Sequence, residues 1–216
     1  MIQVAPYLFG ISVDIRGRNS LPFSKERLDK VMSRLLDTEN GLALRSDQIR
    51  LRATDLAFDY ELKATLLSGN GFFVHDAEKF YLGVSGGRNQ ADARLLAETA
   101  KRFLWVGETS DKDWGLLSVN THAKAASAED RDRFLNTFKT DKRIVGPAAL
   151  AYVSEEGWAD HVRFGVEPSL GVTDSLFLTW NTQFRGNAWL STVDNLTAML
   201  GSVATVFGIE FKPIDQ

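Results

Sequence analysis

Phe9, Ile11, Val13 and Ile15 alternate with Gly10, Ser12, Asp14 and Arg16. This is the period-two pattern of a strand with one face buried. A loop leads to Ser24, whose hydroxyl suits a helix N-cap, and Leu28, Val31, Met32, Leu35 and Leu36 then recur at helical spacing. Asn40-Gly41 marks the stop. Strand patterns return over 49–53 and 58–66. Ser68-Gly69-Asn70-Gly71 then predicts a hairpin turn into a return strand opening at Phe72-Phe73-Val74. Asp76-Ala77-Glu78-Lys79 predicts a further turn, with His75 beside it, before a strand over 80–84. After Gly86-Gly87, Asn89 opens a helix with the stripe Leu96, Ala100, Phe103 and Leu104, ended by Gly107.

The same order then recurs. Leu117, Val119, Thr121 and Ala123 alternate with polar positions, and Ser127 with Asp130 caps a short helix bearing Phe134, Leu135 and Phe138. Strands follow at 149–153, 162–166 and 176–184. Ser191 with Asp194 caps a last helix whose stripe is Leu196, Met199, Leu200, Val203, Val206 and Phe207, closed by Gly208. Ser24 and Ser127, Tyr60 and Val162, Phe80 and Phe177, Leu96 and Met199, and Gly107 and Gly208 stand 97 to 103 residues apart.

The pattern predicts an α+β chain that duplicates a β-α-β(3-4)-α unit, with repeats over 1–109 and 110–216 or one continuous domain. Long antiparallel strands with amphipathic helices give a curved antiparallel sheet, its helices packed on one face. The connectivity is similar to that of TATA-binding-protein-like and helix-grip folds. That likeness implies architecture only, because no motif of either family is present.

Composition narrows the function classes. The 216 residues include no cysteine, so disulfides, thiolate metal sites and cysteine nucleophiles are excluded, and a cytoplasmic location is expected. Neither a signal peptide nor an apolar run of membrane-spanning length is visible, so no membrane partner is expected. Net charge is −3, with 15 Lys+Arg against 14 Asp+Glu in residues 1–108, leaving 10 against 14 in the remainder.

The open face of such a sheet collects Asp14, Arg16, Arg50, Arg52, Asp59, Glu61, Lys63, Asn120, His122, Lys124, His161, Arg163, Glu167, Thr179, Asn181, Gln183 and Arg185. Seven cations against four acids make this face a candidate for anion, nucleic-acid or partner binding. Cross-strand pairing of Asp59 or Glu61 with Arg50 or Arg52 accounts for the same list. Arg16, Arg50, Arg52, Lys124, Arg163 and Arg185 are the candidate cations. Gly86, Gly87 and Arg88 form a glycine-rich corner suited either to an anion or to a strand–helix junction. Trp114, Trp158 and Trp189 fall in loops or element ends and are candidate partner aromatics. His122 and His161 would approach each other if their strands pair. No metal-binding, P-loop or nucleophile-elbow pattern occurs, and no cofactor or catalytic residue is assigned.

The reading that follows is a non-enzymatic, cytoplasmic binding or assembly module, engaging a protein partner or forming a homo-oligomer. The first alternative is a nucleic-acid or anionic-ligand binder using the basic sheet face. The second is a small-molecule carrier or enzyme with a cavity between sheet and helices.

Overall fold

The computed structural model describes residues 1–16, 24–54, 59–77, 80–87, 95, 98–99, 102, 114–144, 146–153, 161–185 and 196–212. At 7–9, 15–16, 27, 184–185 and 196–200 it describes the backbone alone. Ten strands form one sheet. They are β1 (Ile2–Arg16), β2 (Ile49–Ala53), β3 (Tyr60–Leu66), β4 (Gly71–Asp76), β5 (Phe80–Gly87), β6 (Trp114–Ala125), β7 (Ala149–Val153), β8 (Val162–Pro168), β9 (Ser175–Arg185) and β10 (Ile209–Phe211). Among the described residues the helices with full bounds are α1 (Lys25–Leu36), α2 (Ala128–Asn136) and α3 (Leu196–Thr205). Leu95, Glu98, Thr99 and Arg102 are also helical, where a helix is expected, but its stripe of Leu96, Ala100, Phe103 and Leu104 lies outside the described residues.

The sheet runs β2-β3-β4-β5-β1-β6-β9-β8-β7, with β10 lying off this path against β1. Every pairing on the path is antiparallel, and β10 runs parallel to the start of β1. The α+β class with a mostly antiparallel sheet therefore holds.

The first strand starts seven residues before the alternation at Phe9 suggests, and a bulge explains why. Opposite β6, Pro6 pairs with Ala123 and Leu8 with His122, which leaves Tyr7 as an extra residue. One extra residue reverses the parity of a strand. Ile2 and Val4 therefore share the buried face with Ile11 and Val13. A second bulge lies where Phe9 pairs with Gly87 and Gly10 with Ser85. The extra residue there is Gly86 at φ +89°, a conformation that glycine adopts without a Cβ clash.

Strand register builds the core. The row Ile49, Ala64, Phe73, Leu82, Val13, Leu117, Thr182, Val162, Val153 crosses all nine strands of the path. All but Ile49 are buried. Val31 and Leu35 of α1, Leu135 of α2, and Val203 and Ala204 of α3 belong to the same hydrophobic cluster, so these helices cover one face of the sheet. Each such valine or leucine, once buried, stabilises the fold by roughly 1.5–3 kcal/mol before entropy is counted. Ser127 caps α2 as its sequence predicts, accepting from the Asp130 amide at 3.1 Å. The expected stripe of α3 is wrong at Val206, which is exposed because the helix has already ended at Thr205. Phe207 instead turns inward to Phe138 at 6.0 Å and Phe164 at 5.2 Å, and Phe164 packs on Trp180 at 5.0 Å. These rings tie the ends of α2 and α3 to the middle of β8 and β9.

Candidate functional site

The face turned away from these helices holds the expected polar positions, and register arranges them in rows. One row reads Arg50, Lys63, Val74, Tyr81, Asp14, Leu116, Gln183. The next reads Thr65, Phe72, Gly83, Ser12, Ser118, Asn181, Arg163, Tyr152. A third reads Ser85, Gly10, Asn120, Thr179, Gly165, Leu150.

Small residues occupy the middle of the second and third rows, and their neighbours lie flat over the glycines. A Cβ on Gly10 would stand 2.7 Å from Asn120 Oδ1, and one on Gly165 would stand 2.7 Å from Thr179 Oγ1. The Ser118 hydroxyl donates to Asn181 Oδ1 at 2.7 Å. This low polar floor lies between two raised apolar flanks. On one side Phe72 is 52% exposed and stacks on Tyr81 with centroids 5.3 Å apart. On the other, Leu150 and Tyr152 of β7 are 56% and 71% exposed.

The candidate cations do not converge. Arg50 and Arg52 sit on β2 and Arg163 on β8, seven strand intervals away, or about 34 Å at the usual spacing. Lys124 stands near one end of β6. The backbones of Arg16 and Arg185 flank Trp114 in register at the other end. Some of the charge is paired locally: Arg52 meets Asp59 at 3.5 Å, and Lys63 meets Glu61 at 2.9 Å. Asp76, expected in a turn, instead lies in β4 opposite Glu61 and adds an acid to this face. Gly86 and Gly87 end β5, while Arg88, Trp158 and Trp189 lie outside the described residues. Trp114 is partly exposed.

The histidines separate. β9 lies between β6 and β8, and His122 is opposite Phe177, which is opposite Glu167. His161 precedes the far end of β8, about 20 Å along the strand from Glu167, so His122 and His161 do not meet. His122 Nδ1 lies 2.8 Å from Ser169 Oγ, which accepts from the Val172 amide at 3.0 Å. This contact holds the β8–β9 loop against the face, and partial burial pushes the His122 pKa below its ordinary value. His75 differs from its expected place beside a turn. It lies inside β4 on the helix side, buried, with its ring stacked on Phe80 at 3.9 Å and the Tyr60 ring edge-on at 5.3 Å.

Among the described residues, no group of three or more histidine or carboxylate side chains is placed to hold a metal ion. No described helix is long and apolar enough to cross a membrane. An open cleft of about 330 Å³ lies between the start of β1 and α2, lined in part by Ile2, Phe134, Asp130, Arg133 and Lys212. Its arginine is already paired, with Glu129 at 2.8 Å and Asp130 at 3.4 Å. Comparison with models of protein families finds no match, and comparison with curated proteins finds none.

Proposed function

We propose that this chain is a non-enzymatic, cytoplasmic binding module that engages protein through the open face and the apolar end of its sheet. The observation that carries this reading is the exposure of Phe72, Leu150 and Tyr152 on one face, around a low floor of Ser12, Ser118, Asn120 and Asn181. Exposed aromatic and aliphatic anchors around a polar region that can hydrogen-bond are the ingredients of a protein interface. The nucleic-acid reading has weaker support, because its cations are spread across the sheet and one of them, Arg52, is paired with an acid. The carrier reading also has weaker support, because the cleft described between β1 and α2 is open and its arginine is paired.

The test compares proteins that associate with the wild type, with Phe72→Asp/Tyr152→Asp, and with Glu129→Lys on α2. A partner retained by the α2 variant and lost by the face variant supports the proposal. Retention by both variants overturns it. Salt-dependent oligonucleotide binding abolished by Arg50→Glu/Arg52→Glu would put the anionic-ligand reading in its place.

The same proposal includes a duplication. In its support, β1 and β6 lie side by side at the centre, each followed in sequence by a helix, and β5, β4, β3 outside β1 correspond to β9, β8, β7 outside β6. Strand β2 is then an addition to the first unit. By this ordering β8 corresponds to β4, so the spacing match of Tyr60 with Val162 pairs strands at different places. The curved, TATA-binding-protein-like or helix-grip-like form is part of this proposal.

A further inference from the structure

The two ends of the sheet differ in a way that determines which of them can pair with itself. The β2 end carries Arg50 and Arg52 on the open face around Leu51. The β7 end reads Ala149-Leu150-Ala151-Tyr152-Val153, with no charge, no proline and no bulge in its pairing to β8. Among the described residues nothing pairs with the outer side of β7. Natural sheets usually guard such an edge with charge, proline or a bulge, because its free amides and carbonyls form a template for another strand.

We propose that β7 pairs antiparallel with β7 of a second copy of this chain, about a twofold axis at Ala151. This rests on the reading of the chain as a protein-binding module and names one partner. Pairing centred on Ala151 sets Leu150 opposite Tyr152 of the other copy, twice, on the open face. Ala149 falls opposite Val153 of the other copy on the helix side. Both exposed apolar side chains of the strand thus gain cross-strand partners, and no like charges meet. The equivalent pairing of β2 would set Arg50 against Arg52 of the second copy, which is repulsive. Pairing of β7 with β2 is head-to-tail and leaves one free β2 edge and one free β7 edge on every assembly that does not close into a ring, whereas the β7 twofold closes at two.

The chain contains no cysteine, so a single introduced thiol reports the axis directly. Residues on a twofold in an antiparallel pair have Cα atoms about 4.5–5.5 Å apart, within disulfide range. Ala151→Cys is expected to give a covalent dimer on mild oxidation, while Leu51→Cys on β2 stays monomeric. In sedimentation, Leu150→Lys/Tyr152→Lys is expected to weaken association about tenfold or more. An equimolar mixture with Leu150→Glu/Tyr152→Glu is expected to restore it. These side chains are already exposed, so the substitutions leave the core intact, which circular dichroism checks. A wild type that is monomeric at all concentrations overturns the proposal, as does an open-ended polymer or equal cross-linking at Leu51→Cys. Loss of self-pairing with retained capture of a different protein would remove this inference and leave the binding-module reading standing.

Discussion

The ladder between β1 and β6 runs from Val4–Ala125 to Arg16–Trp114 and joins the two candidate repeats through the centre of one sheet. Separating them would expose the edges of both central strands together with Val13, Leu117 and Val119, all buried. The halves should therefore unfold as one unit. Phe73→Ala tests this from the first half. Phe73 is 0% exposed in β4, with its ring 6.0 Å from Phe80, and deleting such a ring costs about 3–5 kcal/mol. For 216 residues, at about 2.1 cal/mol/K each, that cost lowers Tm by roughly 7–11 °C.

Two spectroscopic probes read different parts of the chain. Four of the five tryptophans lie beyond residue 110, so fluorescence reports mainly the second half, while far-UV circular dichroism reports both. Coupled halves require Phe73→Ala to move both midpoints together, and Phe164→Ala, equally buried in β8, to do the same. A Phe73→Ala protein whose circular dichroism becomes biphasic while its fluorescence midpoint stays put would refute the coupling. It would establish two independently folding units instead.

Ser127→Ala removes the acceptor for the Asp130 amide and should cost about 1 kcal/mol in a denaturant titration, with the slope unchanged. His122 has a folded-state pKa below its unfolded value, so its contribution is fully present above about pH 6.5. That contribution is lost as pH falls from there through the lowered folded value, because the unfolded chain binds the proton first. His122→Gln should flatten this part of the stability–pH profile, and an unchanged slope would refute the assignment.

The elements were legible wherever alternation was undisturbed. The spans expected at 49–53 and 149–153 are those of β2 and β7, and the hairpin at 68–71 joins β3 to β4. Residues 2–8 were not legible, because Pro6 and the extra Tyr7 break the period that defines the rest of β1. Strand β10 has three residues and a parallel partner some two hundred positions away, so neither length nor local pairing announces it. His75 was misplaced because its neighbour Asp76 resembles a turn residue, although Phe73 and His75 carry the buried parity of β4. For the candidate site, alternation assigned side chains to a face but could not order the strands. Cations adjacent in a one-dimensional list are therefore dispersed across two dimensions.

That same ordering gives the sheet two chemically different ends, and the difference bears on how assembly would stop. A dimer joined at β7 keeps both β2 strands outermost. Each outer edge then presents Arg50 and Arg52, with Lys63 in register beside Arg50 on the next strand. A third copy arriving by its own β2 edge meets like charge. Its β7 edge is no longer available once that copy has dimerised, because the twofold consumes both copies of that strand. Growth through β2 would thus be opposed by charge, and growth through β7 would need a copy that has not dimerised. The floor of Ser12, Ser118, Asn120 and Asn181 lies on the strands between these ends, so the proposed pairing at the edge would leave the open face to the different protein that the proposed module would bind.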